Sequence, residues 1–421
     1  MTPAQPSIQE IVTSLDSDRA EERERAAEQL KAKGKEGLTV TEGIIALRAA
    51  AKTYLPRKYD FLDSSADLVQ AVRSRPRREY IPVIKELFPA YKPRVKAEAM
   101  VILAAIEGRE AVVAYMEMVT TYARSGELLA LPTGPLESKP RYADVFFPRL
   151  LDYVDVPAFE RSMYSLLLKY AQVGLLKPLD LAVHSPRVLE SYFQYEDKVR
   201  SAQRTEGIAW MSDEEYDKVR WRTALLLDVL GYFPHPQVKG ELREALGYTD
   251  PRLKFFAAMS LLRLGEDVNA EIIHDLAKYP EVRNMLYDEL VAMRKISLSP
   301  QQFRTQEALA ESNMVNWLIF PTELARVPDE IELMKVISVD SKTRDGFLDY
   351  YVFRFRVYDP DNPAAEGWEA GVAGPFLRKD APSTDSYGST FSSFKPWDSM
   401  TAEGHFADLV GSEEDILAEW R

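Results

Sequence analysis

The feature that most constrains this chain is a register of apolar residues that returns at similar intervals, each time between similar start and stop signals. Its clearest instance opens with Asp250-Pro251-Arg252-Leu253-Lys254 and closes with Leu264-Gly265. Asp250 predicts a helix N-cap, because a short carboxylate accepts hydrogen bonds from the free amides of a first turn. Pro251 follows at the first helical position, where its missing N–H costs nothing. Leu253, Ala257, Leu261 and Leu264 recur at steps of four, four and three, which sets them on one helix face. Gly265 predicts the left-handed residue that ends the helix.

The same register stands 34 residues earlier in Val219, Thr223, Leu227, Leu230 and Gly231, behind Ser212 and Glu215 read as a capping box. It stands 29 residues later in Val282, Leu286, Leu290 and Met293, behind Pro280. Val95, Ala99, Leu103 and Ile106 repeat it behind Pro93, and Ala26, Leu30 and Gly34 form a weaker copy. Second helices over 236–247 and 267–277 lie between the strong copies. A helix pair recurring about every 30 residues is the pattern of a stacked helical repeat.

The Asp250-Pro251-Arg252-Leu253-Lys254 opening and the Leu264-Gly265 close resemble the short bacterial form of the HEAT family, whose second helix often runs from Asp-Pro-x-Val-Arg to Leu-Gly. The resemblance covers 213–295 and, more weakly, 17–37 and 92–108. It implies a mainly α HEAT-like α-solenoid of stacked antiparallel helix pairs, used for binding. Such a fold does not by itself specify one activity.

Further helices are expected over 8–15 (with Ser7 and Glu10 as a capping box), 41–54, 64–73 and 78–90. The stretch 94–124 is expected to split at Gly108, and helices to follow over 142–152, 157–174 and 186–200. Pro132-Thr133-Gly134-Pro135 through Pro140 excludes helix and central strand. Ser299-Pro300 is expected to start another helix reaching about 312. The organisation read from this is N-terminal helical repeats over 1–131, a Pro/Gly break at 132–140, continuing repeats over 141–328, and a small acidic strand-rich module over 329–421.

In that module Tyr351, Phe353, Phe355 and Val357 alternate with Val352, Arg354, Arg356 and Tyr358, a period of two that predicts a strand. Leu333–Val339 and Trp368–Leu377 are the expected partner strands of a small antiparallel sheet. Gly371, Gly374 and Pro375 mark expected bulges or corners. Residues 359–363 read as a turn, and Glu413–Arg421 as a short terminal helix capped by Ser412.

Charge and composition narrow the function. The net charge is −13, of which residues 330–421 carry −9 (18 acidic, 9 basic). Phosphate backbones are bound by an excess of Lys and Arg, so this balance argues against nucleic acid. Cysteine is absent, which excludes disulfides, thiolate-ligated zinc and Cys nucleophiles. The opening residues lack the basic patch and apolar run of a signal peptide, and no apolar stretch reaches the roughly 18 residues of a membrane span. A cytoplasmic setting without a membrane anchor is the expectation, and a reducing compartment suits a Cys-free chain.

No catalytic constellation stands out. The four histidines, His184, His235, His274 and His405, share no metal-ligand spacing, and each reads as a surface or capping residue. No metal or cofactor is expected, and the chain reads as non-enzymatic. Candidate partner-binding residues are Trp368 and Trp397, aromatics in loop-rich surroundings, and Arg220, Trp221 and Arg222 on a repeat helix. The two arginines read as presenting guanidinium groups on one side. The expected function is a protein–protein interaction scaffold that binds an unknown protein partner on the concave face of the repeat stack. The alternatives are a HEAT-like nucleic-acid-binding or DNA-repair enzyme, which would need a strongly basic groove, and a bacterial immunity-type inhibitor with an acidic binding surface.

Overall fold

A computed structural model describes residues 6–57, 63–124, 129–177, 181–204, 213–319, 324, 326–341, 346–358, 367–384 and 394–411. Among them it is mainly helical, with a small four-stranded antiparallel sheet. No helix among the described residues is long and apolar enough to cross a membrane. The chain divides into two compact units, Met1–Gln194 with Tyr232–His235, and Tyr195–Gly231 with Pro236–Arg421.

The first unit opens with α1 (Ile8–Leu15), α2 (Ala20–Glu36), α3 (Val40–Ala49), α4 (Ser64–Arg73), α5 (Tyr80–Leu87), α6 (Pro93–Ala105) and α7 (Arg109–Ala123). The Ser7/Glu10 capping box forms, and Thr39 with Glu42 makes another that starts α3. Gly108, at φ 114°, turns the chain between α6 and α7 where the split was expected. Each helix packs on the next but one: α1 on α3, α3 on α5, α5 on α7, and likewise α2 on α4 and α4 on α6. A Cβ at Gly34 would lie 3.0 Å from the Ala71 Cα, so glycine permits the close approach of α2 and α4.

The Pro-rich segment after α7 is a packed loop of two 3₁₀ turns, Gly134–Leu136 and Pro140–Tyr142. The Tyr170 hydroxyl donates to the Leu136 carbonyl at 2.6 Å, and the buried Lys139 Nζ donates to the Ile106 carbonyl at the end of α6. Burial lowers the Lys139 pKa. Short α8 (Ala143–Phe146), α9 (Glu160–Gln172) and α10 (Ser185–Gln203) follow.

The second unit contains α11 (Glu214–Leu230), α12 (Pro236–Ala245), α13 (Pro251–Arg263), α14 (Ala270–Leu276), α15 (Pro280–Ala292) and α16 (Gln306–Ile319). Here α11 packs on α13, α13 on α15 and α15 on α16, with α12 and α14 against α13. Polar bonds lace this row together. Ser260 Oγ donates to the Leu227 carbonyl at 2.7 Å, and Arg263 joins Asp228 on α11 (2.8 Å) to Glu289 on α15 (3.1 Å).

Helix ends follow the sequence in part. Asp250 caps α13, and Gly265, at φ 77°, closes it with bonds from Gly265 N to Leu262 O and from Glu266 N to Leu261 O. Gly231 differs, because it is right-handed at φ −61°. A Cβ there would stand 2.6 Å from Ser260 Oγ, so its smallness serves helix packing rather than chain reversal. The cap of α11 is Asp213, whose side chain accepts from Tyr216 N, and the expected Ser212 lies outside the described residues. The helix expected from Ser299-Pro300 starts later: a 3₁₀ turn, Gln301–Phe303, precedes α16, which runs on to Ile319.

The sheet has the order β1 (Glu330–Ser341), β2 (Gly346–Arg356), β3 (Glu369–Leu377) and β4 (Lys395–Pro396). Ala310, Met314 and Leu318 of α16 pack on one face against Tyr351, Phe353 and Phe355. A further helix, α17 (Ala402–Val410), covers the other face through Phe406, against Tyr350, Val352 and Val372. The period of two is therefore present, yet both faces of β2 are buried. The helix α16, assigned by sequence to the repeats, packs on α15 and on the sheet. Gly371 lies beneath α16, where a Cβ would meet Met314 Cε at 1.9 Å and require the end of that side chain to move. The register shift opposite Asp349 and Tyr351 falls at Gly374, as its position suggested. The turn at 359–363 and the terminal helix at Glu413–Arg421 lie outside the described residues.

Gln306, at the start of α16, ties helix to sheet. It is buried, donates to the carbonyls of Leu377 (3.2 Å) and Ser383 (3.0 Å), and accepts from Tyr351 Oη (3.1 Å). Gln306→Leu keeps the volume but strands all three groups, so a loss of about 3 kcal/mol is expected in urea unfolding followed by tryptophan fluorescence. An unchanged midpoint would show that these bonds do not hold the helix on the sheet.

Candidate functional site

Arg220, Trp221 and Arg222 lie midway along α11, and the first two meet the N-terminal end of α13. Asp250, buried, accepts from Arg252 N at 2.9 Å and Leu253 N at 3.3 Å, and its Oδ2 accepts from Tyr216 Oη at 2.9 Å. Burial, reinforced by the Asp250 charge, holds the Tyr216 phenol far above its usual range. Arg220 pairs with Asp217 and reaches Asp250 at 3.9 Å. Trp221 beside it is 58% exposed, the most exposed position among the tryptophans of this row, and the Arg252 guanidinium lies 5.2 Å from its ring centroid. Burial, and then the neighbouring Arg220, lowers the Arg252 pKa.

Arg220 and Arg222 do not share a side. Residues two apart on a helix point about 200° apart, so the spacing separates them. Arg222 turns instead to the Tyr195 hydroxyl at 2.7 Å, with its guanidinium 5.4 Å from that ring.

Glu281 stands at the second position of α15. Burial raises its pKa, and its Oε2 is buried with no hydrogen-bond partner. Arg252 occupies the same second position on α13, 29 residues earlier, in the same Pro-then-charge opening. Sequence reasoning singled out Trp221 but missed Arg252 and Glu281. The repeated Pro251-Arg252 and Pro280-Glu281 openings were the available signal.

The other two candidates serve the sheet. Trp368 is half-buried, with the guanidinium groups of Arg354 (4.3 Å) and Arg356 (4.6 Å) over its ring. Those arginines pair across the strands with Glu332 and Glu330. Trp397 packs on the core beneath α17 and stacks on His405 at 4.3 Å. His405 is buried, contrary to the surface role expected of it, and its Nε2 lies 3.5 Å from Asp398 Oδ1. Trp397 thus contributes to the module's core, and Trp368 to its ion-pair ladder.

Elsewhere in the second unit Glu196, Glu241 and Glu244 bring carboxylate oxygens within 4.8 Å of one another. Arg200 bonds both Glu196 and Glu244, so the cluster already has its cation. In the first unit a cavity of about 650 Å³ lies between α5 and α7, floored by Ile81, Pro82, Val113 and Ala114. Another, of about 530 Å³, lies between α2 and α4, where Arg57 pairs with Glu24 and Asp67. No family model, curated protein or solved structure matches this chain.

Proposed function

We propose that this chain is a non-enzymatic protein-interaction scaffold built from HEAT-like stacked helix pairs. The observation that carries the reading is the order of packing, in which helices rest on the next but one along α1–α3–α5–α7 and α2–α4–α6 in the first unit and α11–α13–α15 in the second. Short-range stacking of that kind is how solenoid repeats bury a continuous core while leaving a row of helix surfaces for a partner. Trp221 supports the same reading, because exposed tryptophan beside a stacked arginine is the composition of interface anchors. The α16–sheet–α17 module ends the row and buries what would otherwise be its open side.

Affinity capture by the full-length chain, with identification by mass spectrometry, tests this directly. Trp221→Ala is expected to fold with stability within about 0.5 kcal/mol of wild type, as an exposed position should. It is also expected to weaken the captured partner by roughly 2 kcal/mol, a hot-spot-sized loss. If no partner rises above control, or if Trp221→Ala retains every partner at full strength, the reading loses its support.

A further inference from the structure

Residues 73–78 hold four arginines and no acid, in a chain whose net charge is −13. Arg73, in the last turn of α4, has a local reason to be there. A cation suits the negative end of a helix, and Arg73 lies 3.7 Å from Glu98. Arg75, Arg77 and Arg78 are different. All three are exposed, and none has a carboxylate oxygen within 4.0 Å among the described residues. Arg77 and Arg78 also stand just before α5, at the positive end of its dipole, where cations are unfavourable. No acid occupies the first turn of α5, and its N-cap, Glu79, makes no side-chain cap bond. Natural chains break local rules of this kind mainly where function requires it.

Packing gathers these arginines with others on one rim of the first unit. The α4–α5 loop stands between the α2–α3 turn and the α6–α7 turn, since α2 packs on α4 and α4 on α6. Arg75 lies over the first of these turns, where a Cβ at Gly37 would strike its side chain. Arg78 lies over the second. Its Nε donates to the Glu107 carbonyl at 3.3 Å, and its Nη2 would be 3.0 Å from a Cβ at Gly108. Arg109 and Arg141, with side chains 61% and 65% exposed, adjoin the same turn and pair with Asp144 and Glu107.

The chemistry of the three unpaired groups restricts what could answer them. A guanidinium only donates hydrogen bonds, in a planar fork that fits the oxygens of a carboxylate or a phosphate. A nucleic-acid duplex presents phosphates along its whole length, and the rest of this chain, which carries −17, would repel it. At physiological salt, exposed charges are screened beyond about 8 Å, so a short acidic segment seated on the loop escapes that repulsion.

Resting on the scaffold reading, we propose that Arg75, Arg77 and Arg78 form a docking site for a run of aspartate or glutamate side chains in an extended segment of a protein partner. Arg75 and Arg78 are held by the turns beneath them, which lowers the ordering cost of binding, and Arg77 adds a third charge. Bound carboxylates relieve the mutual repulsion of three neighbouring cations. They also supply the negative charge that the start of α5 lacks.

The test uses the full chain and fluorescently labelled octaglutamate, octalysine and a short DNA duplex, titrated by anisotropy at low and at physiological ionic strength. Octaglutamate is expected to bind at least about tenfold more tightly than either of the others, and more weakly as salt rises. Arg77→Glu combined with Arg78→Glu should weaken it about tenfold, while the thermal midpoint of the free chain stays or rises, because acids suit the start of α5. Arg77→Ala alone, at a side chain with no ion pair to lose, should weaken it about threefold. Lys92→Ala, an exposed cation at the opposite end of α6 and about 20 Å from its final turn, should change the affinity less than about twofold. No octaglutamate binding at millimolar peptide, tighter binding of the duplex, or equal losses from Lys92→Ala and Arg77→Ala each overturn the proposal. Failure here with a Trp221-dependent partner still captured removes the acidic-segment reading alone. Failure of capture with octaglutamate binding intact removes the scaffold reading instead.

Discussion

Arg283→Ala is expected to destabilise the second unit by about 3–5 kcal/mol, the range for removing one member of a buried charge network. Arg283 is only 4% exposed, and from α15 its guanidinium donates to the end of α14 and to α16. Nε donates to the Ala277 carbonyl at 2.8 Å and Nη2 to the Lys278 carbonyl at 3.2 Å, satisfying orphan acceptors at the end of α14. Nη1 donates to the Ala308 carbonyl of α16 at 2.9 Å and pairs with Glu311 at 2.8 Å. The plane also lies 4.9 Å from the Phe303 ring. Alanine would remove this donor from the buried carbonyls of Ala277 and Ala308 and leave the Glu311 carboxylate without its guanidinium. Arg283→Lys restores the charge but not the planar fork, so it is expected to recover less than half of the loss. Urea unfolding of the three proteins decides the matter. A loss below about 1 kcal/mol for alanine, within the range of an ordinary surface change, would contradict this account.

Arg283 also marks the limit of what the sequence reveals. It sits in a helix whose apolar face was legible from Val282, Leu286 and Leu290, yet nothing local distinguishes it from a solvated arginine. Its role depends on α14 and α16 meeting it, and those contacts span up to 28 residues. The same division runs through the molecule. Asp250, Pro251 and Gly265 act within one helix, so caps and stops could be read directly. Gly231 carries the same letter in the same register, but its function is to admit Ser260 from another helix, and sequence alone could not show that. The period of two in β2 correctly gave a strand. That both its faces are buried follows from α16 and α17, elements distant in sequence that pack on opposite sides. Among the candidate residues, Trp221 was legible as an aromatic on a polar stretch of helix. Its pairing with Arg252 came from the packing of α11 on α13, and the opposed directions of Arg220 and Arg222 from helical geometry.

Asp250 is where the repeat signature and the candidate site coincide, and its replacement should separate their contributions. Asp250→Ala is expected to cost about 4 kcal/mol. Roughly 1 kcal/mol comes from the lost cap on α13, and the remainder from the buried Tyr216 hydroxyl and the nearby Arg220 left without their acceptor. Asp250→Asn can still accept from the amides of Arg252 and Leu253, so it should recover the cap but not the charge. Tyr216→Phe removes the 2.9 Å hydroxyl bond to Asp250 and should cost about 1.5 kcal/mol, as hydrogen bonds to charged acceptors do. In the double variant, Asp250→Ala with Tyr216→Phe, the two losses should fall short of additive, because they delete one shared bond. The pH dependence has a definite sign. The folded Tyr216 pKa lies above its unfolded value, so the bond contributes fully below about pH 10 and is lost as pH rises beyond it. The stability gap between wild type and Tyr216→Phe should therefore be constant from pH 6 to 9 and shrink above about pH 10. An additive double variant, or a gap that widens with alkalinity, would show that Asp250 acts through the helix cap alone.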